Sequence, residues 1–309
     1  MIKVKAFAPA SYSNLSVGFD ILGLALRNLG DIVELEQRED SAIHIKSIFS
    51  EVDLPEEVDK NCCSIVIKKM QEACASEIGC DIIIRKGFKA GSGLGSSSAS
   101  SVAAAVAYNA LLGSPFVKED LLEFALEGEF LACGARHADN VAPSLFGGLI
   151  MVRSYEPLDI ISLPVPSELY AVTLFPDVEV KTSESRKLLP KQVDLSVLTK
   201  QVANMAGFIS ALYEEDYDRI ADCLVDHVAE PGRKSLIPHF DEMKKAAMDM
   251  GALCFGISGS GPTVFSLTDN ASVAEDIKGE LESIFANSPI QANCFVEKLE
   301  ESEGAHIIL

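Results

Sequence analysis

Two hydrophobic periods alternate along this chain, one with apolar residues at every second position and one at every third or fourth. Residues 2–8 and 31–37 alternate as strands, and 9–29 reads as a loop leading into an apolar stretch. Ser64 to Cys74 sets Ile65, Val66, Met70 and Ala73 at helical spacing. Asp81-Ile82-Ile83-Ile84 reads as a strand, and the small residues from Ala99 to Leu112 as a helix. Glu119 to Cys133 is an amphipathic helix, and Leu145 to Val152, with Gly147-Gly148, reads as a strand or its entry.

Pro157, Pro164 and Pro166 interrupt the next stretch and place a domain boundary there, giving units 1–165 and 166–309. The second unit reads as strand 169–175, helices 182–189, 194–213, 216–228 and 239–250, then strand 252–257. A Gly-Ser-Gly-Pro turn at 259–262 leads to strand 263–267, helix 272–286 and a strand near 291–298. Both halves mix strands and helices, which predicts two α+β layers. The tail after Glu300 is acidic and then apolar, and no element is assigned to it.

Composition narrows the function classes. The formal charge of −20 opposes binding to nucleic acid or to an anionic membrane. No apolar run is long enough to span a bilayer, and Met1 to Ala6 lacks the apolar core of a signal peptide. The 8 cysteines (Cys62, Cys63, Cys74, Cys80, Cys133, Cys223, Cys254 and Cys294) form no Cys-x-x-Cys pair. They read as buried free thiols rather than disulfides or metal ligands, which fits a reducing, cytoplasmic setting.

The strongest chemical signal is Gly91-Ser92-Gly93-Leu94-Gly95-Ser96-Ser97-Ser98, set between a strand and a helix. Glycines allow close backbone approach, and a helix start offers free N–H groups and partial positive charge. Such a loop can cradle phosphate. It lacks the Walker lysine, and its third glycine falls too early for the dinucleotide fingerprint. Alone, it could equally be a glycine-serine turn before a buried helix.

Two further glycine-containing segments flank it in order: Pro9-Ala10-Ser11 with Asn14 and Gly18-Phe19-Asp20, and Gly256 to Thr263. The three together resemble the signature motifs of the GHMP kinase family. The first segment and His137-Ala138-Asp139-Asn140-Val141-Ala142-Pro143 are similar to those of its homoserine kinase branch. The resemblance runs from Pro9 to Thr263. It implies an ATP-binding N-terminal domain with a left-handed β-α-β unit, a ferredoxin-like C-terminal domain and a site between them. It implies ATP and Mg2+, and transfer of phosphate to the hydroxyl of L-homoserine on the way to threonine. A homodimer is left open. The family's proline before the loop is Lys89 here, read as a solvated charge.

Physical roles sit beside that resemblance. A zwitterionic substrate needs a carboxylate for its ammonium, and Asp20 suits this; its alternative role is capping a following helix. A substrate carboxylate needs guanidinium groups, and the resemblance places Arg186 and Arg233 there, with Thr182 and His137 nearby. Asn14 and Asn140 can donate and accept toward a hydroxyl. The resemblance gives Glu129 and Ser97 to Mg2+, and Asn61 to the adenine. Asp139 is the chemical candidate for general base, or else orients its loop; Asn140 and Arg186 complete the catalytic set. The rival readings are another small-alcohol GHMP kinase and an inactive nucleotide- or amino-acid-binding relative.

Overall fold

The computed structural model describes residues 2–299 and 303–308. The first half runs β1 (Lys3–Ser13), β2 (Leu22–Gln37), β3 (Ile43–Phe49), α1 (Cys62–Cys74) and β4 (Cys80–Arg85). It continues α2 (Ser96–Leu111), α3 (Lys118–Cys133), α4 (Ala138–Phe146), β5 (Leu149–Tyr155) and β6 (Leu158–Leu163). The second half runs β7 (Leu169–Pro176), α5 (Thr182–Lys187), α6 (Leu195–Glu214), α7 (Tyr217–Cys223), α8 (Glu230–Arg233) and α9 (Phe240–Asp249). Then follow β8 (Cys254–Ile257), β9 (Val264–Thr268), α10 (Ala271–Phe285), β10 (Ala292–Leu299) and β11 (His306–Ile307).

The first sheet has 7 strands, ordered β11-β1-β2-β4-β3, with β5 paired to β2 and β6 to β5. β3 and β4 pair in parallel, connected through α1, and form the β-α-β unit. The second sheet is ordered β10-β7-β9-β8 and is antiparallel throughout. Its strand order, with helices between β7 and β8 and between β9 and β10, is the ferredoxin-like arrangement. No helix among the described residues is long and apolar enough to cross a membrane.

Several sequence expectations change. Residues 9–29 are not mainly loop, because β1 and β2 are a long antiparallel pair whose register breaks between Pro9 and Ser11. That break interrupts the alternation that marks a strand. The stretch from Leu145 is still helical; α4 ends at Phe146 and the strand starts at Leu149. Expected helix 216–228 stops at Cys223, where the Asp226 carboxylate then accepts from the N–H groups of Val228, Ala229 and Glu230. β3 and β6 were not anticipated, because their side chains are largely half-buried and give weak alternation. The tail, left unassigned, returns to the first sheet as β11 beside β1.

Three clusters form the core. One packs the first sheet on α1–α4, and another packs the second sheet on α9 and α10. The third joins the halves: Ala10, Tyr12, Leu22 and Leu24 meet Phe208, Leu212 and Phe265. The ring of Tyr12 stacks on Phe265 at 5.0 Å, and its hydroxyl bonds Thr173 on β7. This shared core fixes the walls of the cleft above it.

Candidate active site

A cavity of about 530 Å³ opens where the β1–β2 turn, the loop before α2, the ends of α3 and α4, and the turn at 258–261 converge. Asn14, Asp20, Asn61, Gly91, Gly93, Gly95, Ser96, Ser97, Glu129, His137, Asp139, Asn140, Thr182, Arg186 and Arg233 all line it. Ser92, Leu94 and Ser98 do not. Leu94 packs in the core that joins the halves, and Ser92 is buried with its carbonyl accepting from Thr263 N–H.

The loop opens α2 without a side-chain cap, so the first-turn N–H groups at 96–98 lack intrahelical partners. Lys86 holds this end from below. Its ammonium pairs with buried Asp31 and donates to Ser96 O at 2.7 Å and Ser100 Oγ at 2.8 Å. Neither Lys86 nor Asp31 was singled out from sequence; a lone lysine after a strand and a lone aspartate within one carry no local signal. Gly93 has φ of 85°, and a Cβ there would lie 2.6 Å from Gly261 O and 2.8 Å from Ser258 O. Its lack of a side chain therefore lets two protein turns meet, rather than serving phosphate directly. Gly91, also at positive φ, has open space around it.

Glu129 is buried beneath the loop. It accepts from Ser97 Oγ at 2.6 Å, Ser98 Oγ at 2.8 Å and His137 Nδ1 at 3.1 Å. Burial pushes its carboxyl pKa up, but the hydrogen bonds from His137, Ser97 and Ser98 outweigh that and hold it below the ordinary value. His137, just before α4, turns its other nitrogen, Nε2, to Arg186 Nη2 at 3.0 Å. The His137–Pro143 motif is thus the N-cap and first turns of α4. Cys133 also reaches the cavity and is exposed, against the expectation of a buried thiol; Cys74 is exposed as well.

Asp20 caps no helix, since β2 follows it. Its carboxylate pairs with both terminal nitrogens of Arg186 at 3.2 Å. Asn14 spends its amide on structure: Nδ2 donates to Gly259 O at 3.0 Å and Oδ1 accepts from Asp20 N–H at 2.9 Å. Asn14, Leu15, Ser16 and Asp20 all have positive φ, so strain is concentrated in this turn. Asn61 is likewise engaged, capping α1 through Cys63 N–H and donating to Pro55 O at 2.8 Å. Asn140 Oδ1 accepts from Ser11 Oγ at 3.2 Å. Thr182 Oγ1 lies 3.3 Å from Ser260 Oγ, a cavity residue of the turn at 259–262 to which the sequence reading gave no role.

Among the described residues, two charged groups of the cavity have a buried polar atom without a partner. Arg233 is 4% exposed and makes no ion pair among the described residues. Its guanidinium donates to Gly259 O at 2.8 Å, while Nε is buried without a partner. Burial draws its pKa below the usual value. Arg186 and Arg233 stand 5.8 and 5.1 Å from the ring of Phe19. Phe19 was quoted in the motif but given no role. Asp139 is buried with Oδ1 unpartnered, and burial, then the charge of Asp20, push its pKa to about 7. Such a carboxylate is near the affinity for protons that a base at neutral pH needs.

Comparisons with known proteins fit this geometry. Residues 61–148 match the family model for the GHMP kinases N terminal domain, and 208–287 match GHMP kinases C terminal. The chain is 42% identical to a homoserine kinase of Chlorobaculum tepidum, over 100% of this chain and 99% of that one. It is 39% identical to a homoserine kinase of Methanococcus maripaludis, over 97% and 100%. The crystal structure of homoserine kinase from Cytophaga hutchinsonii superposes with a TM-score of 0.96 at 45% identity, covering 99% of this chain and 97% of that one. A mevalonate kinase of L. major, at 14% identity and TM-score 0.69, shares the fold.

Proposed function

We propose an arrangement of substrates in this cleft from one premise: the chain belongs to the GHMP kinase family, among its homoserine kinases. It is an ATP-dependent kinase of L-homoserine, making O-phospho-L-homoserine and ADP, in threonine biosynthesis. Residues 1–165, joined by the returning strand β11, carry the nucleotide, and 166–299 close the substrate side.

The phosphates of ATP lie along the loop from Gly91 and the first turn of α2, where unpaired N–H groups and the helix dipole favour anions. Ser97 and Glu129 offer a hydroxyl and a carboxylate 2.6 Å apart on the cavity side, hard oxygen donors that fit Mg2+. Bound there, Mg2+ would neutralise phosphate charge. Ser98 orients Glu129 from behind. Asn61, its side chain held by the cap, borders the purine end.

Arg233 carries the substrate assignment. An unpaired buried guanidinium is costly, and an anionic substrate supplies the missing partner. Asp20 takes the homoserine ammonium. Its present partner, Arg186, is an exposed ion pair worth roughly 0.2–1 kcal/mol, so a zwitterion can exchange with it cheaply. Arg186 then serves the carboxylate or the transferring phosphoryl group. Asn140 lies at the substrate hydroxyl, His137 and Thr182 stand beside the carboxylate with the arginines, and Asn14 holds the Asp20 turn in place. The hydroxyl oxygen bonds to the γ-phosphorus as the bond to the β–γ bridging oxygen breaks and ADP leaves. The hydroxyl proton passes to Asp139. Positioning and charge neutralisation supply most of the acceleration in such a loose transition state.

The test is ADP release with L-homoserine, with mevalonate and with neither. Homoserine should stimulate far more than mevalonate, which has no ammonium for Asp20. Equal stimulation would remove the zwitterion site, and no stimulation by either would make the chain an inactive relative.

A further inference from the structure

We infer that Glu129, Cys133 and His137 form a binding site for a thiophilic divalent cation, Zn2+ by its chemistry, at the edge of the phosphate loop. The ligand atoms of the three all lie within 4.8 Å of one another. Glu129 and Cys133 are one turn apart on α3 and share a face. Gly134, at φ of 73°, ends the helix, and the chain doubles back so that His137 Nδ1 meets Glu129 at 3.1 Å. Ser97 Oγ stands 3.7 Å from Cys133 Sγ. These groups line an open cavity, so a fourth position stays free for water or phosphate.

The donor set decides which cation binds. One sulfur, one nitrogen and one carboxylate oxygen suit tetrahedral Zn2+, with bonds of about 2.0–2.3 Å that small side-chain rotations can close. Mg2+ prefers oxygen and gains nothing from sulfur or imidazole. On binding, a metal–sulfur bond forms and the Cys133 thiol proton leaves to buffer; nothing is oxidised or reduced. The cation also takes the place of the proton between Glu129 and His137. The thiol read from sequence as an inert buried side chain thereby becomes a ligand. Zn2+ bound there draws Glu129 toward Cys133 and His137 and adds charge beside the Ser97 position, so Zn2+ should inhibit the kinase in competition with Mg2+. That last consequence rests on the reading of Glu129 as the Mg2+ ligand; the binding itself does not.

The probe is Co2+ added to the intact, nucleotide-free protein. It should give a thiolate-to-cobalt charge-transfer band and the visible spectrum of a tetrahedral ion, both erased by one equivalent of Zn2+. Cys133→Ala should lose the charge-transfer band and keep ordinary Mg2+-dependent activity. Cys133→Ser replaces it if the alanine variant does not fold. At buffered free Zn2+, the variant should need at least about 10–100-fold more Zn2+ for half inhibition, since losing a ligand costs no less than losing a partner that only orients one. No band, or the same band in the variant through exposed Cys74, overturns the site. A band that needs Cys133, with Zn2+ inhibition that excess Mg2+ never relieves, upholds the site and removes Glu129 from Mg2+. A changed Mg2+ requirement in Glu129→Gln without any cobalt band does the reverse.

Discussion

Arg233 and Asp139 are the two charged side chains of the cavity with a buried atom left unpartnered among the described residues. Arg233→Leu deletes a charged hydrogen-bond donor, worth roughly 1.5–3 kcal/mol, so kcat/KM for homoserine should fall about 10- to 150-fold. ATP affinity measured without homoserine should not move. Arg186→Leu should give a similar loss if it serves the carboxylate, but a loss of kcat at saturating homoserine if it serves the phosphoryl group. Normal homoserine kinetics in both variants would place the carboxylate elsewhere. Asp139 gives a test on two axes. Its pKa rises from 3.8 unfolded to about 7 folded, so ionising it costs the folded state. That cost is absent below pH 3.8, grows between the two values and is complete above about 7. Asp139→Asn should therefore be more stable than the parent at pH 8 and no more stable at pH 3, by thermal melts. As the base, it should also lose about 10²–10⁴ in kcat. A stability gain with kcat intact would leave Asp139 only a role in orienting α4.

At the scale of elements, the glycine loop is a joint between two turns as much as a phosphate cradle. The Ser258 hydroxyl donates to Gly93 O at 2.7 Å, and Thr263 N–H donates to Ser92 O at 3.1 Å. Gly93→Ala would press its Cβ on the 258–261 backbone, which cannot yield as a side chain could. It should lower the melting temperature well beyond Gly91→Ala, where only the positive φ is at stake, roughly 1–2 kcal/mol. It should weaken ATP binding as well, by calorimetry. Equal, small effects at both positions would mean that the turns do not depend on this contact. The loop's glycines were legible as a motif, but their separate reasons were not. Gly93 owes its identity to residues far away in sequence.

For the whole molecule, the question is how tightly the two sheets are coupled. Tyr12, in the first sheet, is buried against Phe265 and bonds Thr173 in the second. Tyr12→Phe leaves the Thr173 hydroxyl buried without that partner, at a cost of about 1–3 kcal/mol. Calorimetry should show one unfolding transition at a lower temperature. Two separate transitions would mean that the halves unfold independently and that the cleft is held by less than this core.

What the chain determined alone was local. The period of its apolar residues set the helices α1, α2, α3, α6 and α10 and the plainer strands, because amphipathic repetition is written within one element. The motifs likewise named Asp20, Glu129, His137, Asp139, Arg186 and Arg233, because chemistry needs particular side chains in a recognisable order. Tertiary structure decided the rest. It turned residues 9–29 into strand by pairing them across a register break, and gave the unassigned tail to the first sheet as β11. It paired Asp20 with Arg186, and set Lys86 on Asp31 beneath α2. It spent the amides of Asn14 and Asn61 on the protein itself, and brought Cys133 out to the cavity beside Glu129 and His137. Each of these depends on partners distant in the chain, whose meeting is fixed by packing rather than by any pattern within a segment.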